Sequence, residues 1–173
     1  MPRPDVYVFL DFDGVTHPWR EVEDFRCLPR IEAVLREFEE ARIVITSDWR
    51  TVFSQTRLAA RFAEDIRPRI AGVTPLLLPK NGRSFFGLRE AEARQWLAAH
   101  KAGDAAWLAI DDAPGNWPTR ARLILTDFKR GFLDEDAARL RAALQAIRAG
   151  AWQDEDPAPR HFHWARAGLA ANT

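Results

Sequence analysis

The sequence has little of several features that mark other classes of protein. Its 173 residues include a single cysteine, Cys27, which excludes an intrachain disulfide and a zinc site built from cysteines. No apolar stretch reaches 18 residues and no signal-peptide pattern is found, so we expect a cytoplasmic protein that does not span a membrane. The formal net charge is zero, and overall charge therefore gives no indication of nucleic-acid binding.

The remaining composition is typical of one globular domain. Hydrophobic residues make up 47% of the chain and charged residues 29%, and the length is sufficient for a full core. Only three of the 25 basic residues are lysine. Arginine suits bidentate phosphate binding, although a general preference for arginine explains most of them equally well. We predict a catalytic domain over residues 1–150 and a C-terminal tail over 151–173.

Apolar runs and helical periodicities alternate along the chain. Runs rich in β-branched and aromatic residues predict strands over 6–10, 43–45, 70–74, 107–110 and 123–125. Periodic segments predict helices over 31–38, 52–67, 89–100 and 134–148, with loops at 15–29, 75–87 and 113–119. This alternation predicts an α/β fold: a doubly wound, Rossmann-like, three-layer sandwich around a mainly parallel five-stranded sheet.

Polar groups follow three of the predicted strands. They are Asp11 with Asp13, Thr46 with Ser47, and Asp111 with Asp112. The carboxyl ends of parallel strands meet at one edge of a sheet, so these groups should converge there. Close carboxylates raise each other's pKa unless a cation compensates, and Mg²⁺ prefers oxygen ligands. The alternatives are acids that cap a turn and hydroxyls that cap a helix.

The stretches DFDGV, ITS and LAIDD resemble the first, second and fourth motifs of the haloacid dehalogenase (HAD) superfamily of phosphohydrolases. The resemblance implies that Asp11 attacks phosphorus and forms an aspartyl-phosphate. It also implies that Asp13 acts as general acid and then as base, which requires a pKa raised toward neutrality. Mg²⁺ is the implied cofactor.

The resemblance assigns roles to the other polar groups as well. Thr46 would bind the transferring phosphoryl group, with Ser47 donating beside it. Asp112 would ligate the metal together with Asp11 and the backbone carbonyl of Asp13. Asp111 would hold the site from behind these ligands or through water.

A third-motif cation is also implied, usually a lysine in the superfamily. Arg89 opens the helix that leads to the fourth motif and is our first choice, Lys80 is the second, and Lys101 is a further candidate. Arg50 is predicted to bind substrate phosphate, with a surface arginine as the alternative. His17 is predicted to touch substrate or to move a proton, with a purely structural loop hydrogen bond as the alternative.

The spacing of the motifs leaves no room for a large cap domain. An open site fits a bulky substrate, and the patterns DFDGVTHP, TSDWR and REAEARQWL resemble the capless HAD domains of Swiss Army knife RNA-repair proteins. This resemblance implies a phosphorylated RNA or DNA end as substrate. The alternatives are a nucleotidase acting on mononucleotides and an inactive HAD-like binding module. A receiver domain fits less well, because its acid pair comes at the first strand.

Overall fold

The computed structural model describes residues 3–21, 24–78 and 85–152 of the chain. Lys80 and all but the first two residues of the predicted tail lie outside these ranges. Five strands form one sheet: β1 (Val6–Leu10), β2 (Ala41–Ile45), β3 (Ile70–Val73), β4 (Trp107–Asp111) and β5 (Leu123–Leu125). Every pairing is parallel, and the strand order is β3-β2-β1-β4-β5. The doubly wound α/β fold is therefore confirmed.

Four α-helices accompany the sheet: α1 (Leu28–Arg36), α2 (Gln55–Ala59), α3 (Leu88–Ala99) and α4 (Asp134–Arg148). Alternate residues of β1 point to opposite faces, as expected for a strand. Val8 and Leu10 join the large core beneath α1 and α4. Phe9 joins the second core, which contains Trp96 of α3. These two cores make the three layers of the sandwich.

Several predicted boundaries differ from the structure, and two of them were wrong by the most. Pro29 does not extend the loop, because it lies in the first turn of α1, where a missing N–H costs no hydrogen bond. The long helix predicted over 52–67 is only the five-residue α2. The buried carboxylate of Glu32 accepts a hydrogen bond from the Ala63 N–H at 2.8 Å, and Arg67 Nε donates to the Phe62 carbonyl at 2.9 Å. These contacts hold the backbone after α2 in turns.

No cap domain is found in the described residues, where only α1 lies between β1 and β2. None of the described helices combines the length and the apolar character needed to cross a membrane.

Candidate active site

The strand register brings the predicted polar groups together. Leu10, the last residue of β1, pairs with Ile45 of β2 and with Ile110 of β4. The next backbone bonds continue this alignment, because the Thr46 N–H donates to the Leu10 carbonyl at 2.9 Å and the Asp11 N–H donates to the Ile110 carbonyl at 3.1 Å. The sheet grows from β1 to one side through β2 and β3, and to the other side through β4 and β5. The carboxyl end of β1 is therefore also the topological switch point, where α/β sheets bind ligands.

Three side chains form a carboxylate cluster, Asp11, Asp111 and Asp112. Each offers one oxygen, and the three oxygens lie within 4.8 Å of one another. Burial, and then repulsion from Asp111, raise the pKa of Asp11 to about 7. Burial also raises the pKa of Asp111 and of Asp112 to about 6, with repulsion from Asp11 adding to the shift at Asp112. Arg89 lowers the pKa of Asp11 and of Asp111 but does not offset the effect of burial.

Hydrogen bonds hold Asp111 behind the other two acids. Its Oδ1 accepts from the Ala113 N–H at 2.7 Å, and its Oδ2 accepts from the Trp117 indole N–H at 2.8 Å. Asp111 is fully buried, whereas Asp11 and Asp112 both line the open cavity. This arrangement matches the indirect role that the motif resemblance implied for Asp111.

The cluster has the chemistry of a Mg²⁺ site. Its donors are all carboxylate oxygens, the ligands that a hard cation prefers, and their raised pKa values show what a cation would relieve. Gly14 adds to this fit because it keeps space beside Asp112. A Cβ at Gly14 would lie 2.3 Å from Asp112 Oδ2, and the residue has a positive φ of 72°.

Asp13 is held by two side chains. His17 Nε2 lies 3.1 Å from Asp13 Oδ1, and the Trp49 indole N–H donates to Asp13 Oδ2 at 2.8 Å. The His17 hydrogen bond is the largest influence and lowers the pKa of Asp13, with Trp49 acting in the same direction against partial burial. The expectation of a raised pKa at Asp13 was therefore wrong.

The structure contradicts direct contact between His17 and substrate. Both of its ring nitrogens are used, one by Asp13 and the other by Thr16 Oγ1 at 3.1 Å. The ring is fully buried. His17 is thus a partner of Asp13, and this position is compatible with a role in moving a proton and with the purely structural alternative.

The second-motif residues differ in their partners. Thr46 Oγ1 is buried and has no hydrogen-bond partner among the described residues, which is costly unless a bound group supplies one. Ser47 Oγ accepts from the Trp49 N–H at 3.4 Å and begins a short 3-10 helix, Asp48–Thr51. The helix-capping alternative is therefore realised at Ser47.

Arg50 does not face the cavity. Its side chain is 3% exposed and forms an ion pair with Glu92 of α3 at 2.6 Å. It also donates to the Thr46 carbonyl. The prediction of a phosphate contact is not supported, because the two terminal nitrogens of Arg50 link the second motif to α3 and Arg50 is not among the residues that line the cavity, although its Nε is buried without a partner among the described residues.

Arg89 is the described cation at the site. It lies in the first turn of α3 and its guanidinium contacts Asp48 Oδ1 at 3.0 Å. It lines the cavity, and its second terminal nitrogen, Nη1, is buried without a partner among the described residues. Lys101 lies beyond the opposite end of α3 and is exposed, so it is remote from this edge of the sheet.

An open cavity of about 250 Å³ joins these groups. Its lining residues are Asp11, Asp13, Trp19, Asp48, Arg89, Asp112, Ala113 and Asn116. Sequence reasoning missed Trp49, Trp117 and Glu92 as partners of site residues. Each of these residues lies close to a motif in the sequence. An aromatic ring or an acid in a helix nevertheless forms no sequence pattern that predicts a specific hydrogen bond.

Comparison with known proteins agrees with this geometry. Residues 7–137 match the family model described as the HAD domain in Swiss Army Knife RNA repair proteins. No curated protein and no solved structure gives a significant match. The matched region contains β2 to β5, all of β1 except Val6, and every residue of the carboxylate cluster. The chain therefore belongs to the HAD superfamily, in the family of HAD domains found in Swiss Army Knife RNA repair proteins.

Proposed function

We propose that the protein is a Mg²⁺-dependent phosphohydrolase that removes the terminal phosphate from a nucleic-acid end through an aspartyl-phosphate on Asp11. One observation carries the proposal: Asp11, Asp13, Asp112 and Arg89 line one open cavity at the carboxyl edge of the sheet. Membership of the HAD superfamily supports a phosphohydrolase in general. The cofactor, the intermediate and the substrate are our own inferences.

Mg²⁺ would be held by Asp11, Asp112 and the Asp13 carbonyl, and would supply the positive charge that keeps Asp11 ionised beside an anionic substrate. We assign Asp11 as the nucleophile because it lines the cavity and directly follows β1, the central strand of the sheet. One of its oxygens attacks phosphorus, and the bond from phosphorus to the leaving oxygen breaks. Water then attacks the aspartyl-phosphate, releasing inorganic phosphate and the free carboxylate.

The leaving oxygen needs a proton. We infer the source of this proton from the hydrogen bonds around Asp13. Thr16 uses its one hydroxyl hydrogen to donate to the Phe12 carbonyl at 3.0 Å. Its contact with His17 Nδ1 at 3.1 Å therefore needs a hydrogen on Nδ1. The 3.1 Å contact between His17 Nε2 and Asp13 Oδ1 then needs a further hydrogen, since neither atom otherwise has one to donate.

In this proposal the Asp13–His17 pair carries the proton that the leaving oxygen needs, although the pKa of Asp13 itself is lowered. In the first step this proton passes to the leaving oxygen. In the second step the pair takes a proton from the attacking water. Trp49 keeps the other carboxylate oxygen fixed, so that Asp13 presents one orientation to the substrate.

Two unpaired donors complete the site. Thr46 Oγ1 and Arg89 Nη1 are buried and have no partner among the described residues. Both belong to the edge where the phosphoryl group would be held, and negative charge on its oxygens would satisfy them. Preorganised donors of this kind stabilise the transition state of phosphoryl transfer.

Two observations support a nucleic acid as the substrate. The cavity is open, and no domain covers it in the described part of the chain, so a large substrate can reach Asp11. The family description names RNA repair proteins. An accessible site in such a family fits a terminal phosphate on a polynucleotide.

Phosphate release by the purified protein tests the proposal. The panel contains glycerol phosphate, mononucleotides, a phosphopeptide, and RNA and DNA oligonucleotides with a 5′- or 3′-phosphate, each with Mg²⁺ and with EDTA. We expect Mg²⁺-dependent release that is fastest from an oligonucleotide end and is abolished by Asp11→Asn. Asp104→Asn, at an exposed position outside the site, is the matched control.

Preference for mononucleotides would replace the proposal by a nucleotidase. No release from any substrate, with Mg²⁺ still raising the melting temperature, would contradict an enzyme and favour a binding module.

A further inference from the structure

Two exposed aromatic side chains stand at the rim of the cavity, Trp19 and Phe128, which we call the rim aromatic pair. Trp19 is 50% exposed and Phe128 is 43% exposed. Their ring centroids are 6.2 Å apart and the rings meet at 69°. Trp19 lines the cavity together with Asp11 and Asp13. The pair therefore borders the position of the reacting phosphate. Both rings remain partly exposed and are not packed into the core.

Backbone hydrogen bonds hold the rim aromatic pair in place. The Trp19 N–H donates to the Phe128 carbonyl at 2.8 Å, which joins the loop after β1 to the loop after β5. The same two loops are joined again by Thr126 Oγ1, which donates to the Gly14 carbonyl at 2.8 Å. The rings are thus fixed relative to the first motif, and a ligand would pay little entropy to order them.

Two cations accompany the rings. Arg20 Cζ lies 4.5 Å from the centroid of the Trp19 ring, and Lys129 Nζ lies 5.5 Å from that of Phe128. Besides the site acids, the described parts of these loops contain Glu21 and Asp24, which both pair with Arg26, and Asp127, which accepts from the Lys129 N–H. The surface therefore combines two half-exposed aromatic rings with a cation over each of them.

This combination is selective for one class of ligand. Aromatic rings stack on nucleobases of any sequence, and neighbouring cations attract the phosphates between them. An acidic or phosphorylated peptide would use the cations but would leave the rings unmatched in most sequences.

We propose that the rim aromatic pair is a base-stacking subsite for a polynucleotide end. A nucleobase next to the terminal phosphate stacks on Trp19, which lines the cavity, with Phe128 beside it at a steep angle, while Arg20 and Lys129 bind the adjoining phosphodiester. This subsite rests on the proposed function for its reacting phosphate. It adds that the protein selects ends that carry an unpaired base, whatever its identity, because a paired base is not free to stack.

The test compares a phosphorylated oligonucleotide that has a terminal base with the same oligonucleotide that is abasic at that nucleotide. Both 5′- and 3′-phosphorylated versions are used. We expect the wild type to prefer the base-bearing end, and we expect Trp19→Ala to lower this preference, measured as a ratio of kcat/KM values, about tenfold, since that corresponds to about 1.4 kcal/mol. Trp19→Phe should restore most of the preference. Val52→Ala removes an exposed apolar side chain outside the cavity lining and should leave the ratio unchanged.

Failure of this subsite differs visibly from failure of the proposed function. Mg²⁺-dependent hydrolysis of glycerol phosphate with an unaltered base preference in Trp19→Ala would overturn the subsite and leave the phosphohydrolase intact. A phosphopeptide preferred over every oligonucleotide would overturn it as well.

If no phosphate ester is hydrolysed, the proposed function is wrong. A binding measurement then tests the base-stacking subsite by itself. Terminal 2-aminopurine in a phosphorylated oligonucleotide should lose fluorescence on binding to wild-type protein, with about tenfold weaker binding to Trp19→Ala. Equal binding by the two proteins would refute the stacking.

Discussion

Replacing Gly14 by alanine tests the close approach between the first and fourth motifs. The Cβ of alanine would lie 2.3 Å from Asp112 Oδ2 and 2.7 Å from Asp112 Cγ, whereas ordinary contact begins at 3.4 Å. The Asp112 carboxylate must therefore move by about 1 Å. A displacement of that size in a catalytic group costs about 10²-fold in rate. We expect Gly14→Ala to lower kcat/KM about 100-fold and to raise the Mg²⁺ concentration needed for half-maximal activity.

The substitution also has a backbone cost, which must be separated from the clash. Alanine at a positive φ costs about 1–2 kcal/mol of stability. Gly150 has a φ of 67°, and a Cβ added there would meet no atom of the described residues within 4 Å. Gly150→Ala is therefore a matched control that carries the backbone cost alone, and it should keep wild-type activity.

The assay measures phosphate release against Mg²⁺ concentration for both variants and the wild type, with urea unfolding to confirm that each is folded. Our reasoning is refuted if folded Gly14→Ala keeps more than half of the wild-type activity with the same Mg²⁺ requirement. It is also refuted if the two alanine variants lose activity equally, because the clash with Asp112 would then have no effect of its own.

Three further predictions follow from the side-chain contacts. Trp49→Phe keeps an aromatic ring but removes the hydrogen bond to Asp13. We expect kcat to fall about tenfold with little change in KM, since a hydrogen bond to a charged group is worth about 1.5–3 kcal/mol. An unchanged kcat would argue against a positioning role for Trp49. Arg50→Met removes the ion pair of the buried Glu92 carboxylate, which keeps only its hydrogen bond from the Leu77 N–H, and should lower the free energy of unfolding in urea by about 3–5 kcal/mol. The exposed control Arg36→Met should cost less than about 1 kcal/mol, and equal losses would contradict the buried pair. In EDTA the folded carboxylate cluster, with pKa values of about 6 to 7, keeps protons that the unfolded chain, with pKa 3.8, has released. The free energy of unfolding should therefore fall as pH rises from about 4 to 7, and Mg²⁺ should reverse this fall; a flat profile in EDTA would refute the raised pKa values.

The sheet and the convergence of its polar groups were predictable because they depend on short-range patterns and one general rule. Continuous apolar runs mark buried parallel strands, and parallel strands bring their carboxyl ends to one edge. The observed pairing of Leu10 with Ile45 and Ile110 then places Asp11, Thr46 and Asp111 side by side.

The length of α2 was not predictable, because side chains from distant segments decide it. The spacing of Leu58, Phe62 and Ile66 fits a helix, and all three are buried as expected. The chain nevertheless leaves the helix where Glu32, in α1, accepts the Ala63 N–H. Periodicity records which residues are buried but not which distant polar group competes for the backbone.

The electrostatic state of Asp13 was also beyond sequence reasoning. The motif gives its place in the site, but the direction of its pKa shift depends on His17 and Trp49. His17 reads from the sequence as a loop residue near substrate, and Trp49 as an apolar ring after a strand. Only their positions in the structure show two hydrogen bonds to one carboxylate.

The central claim is that Asp11 carries the phosphoryl group during turnover. Rapid acid quenching of the wild-type protein during hydrolysis of a phosphorylated oligonucleotide, followed by peptide mass spectrometry, measures this directly. We predict a phosphoryl group on Asp11 that appears only with Mg²⁺ and substrate and disappears when substrate is exhausted. Phosphate release with no label on Asp11, or with the label on another residue, would contradict the account.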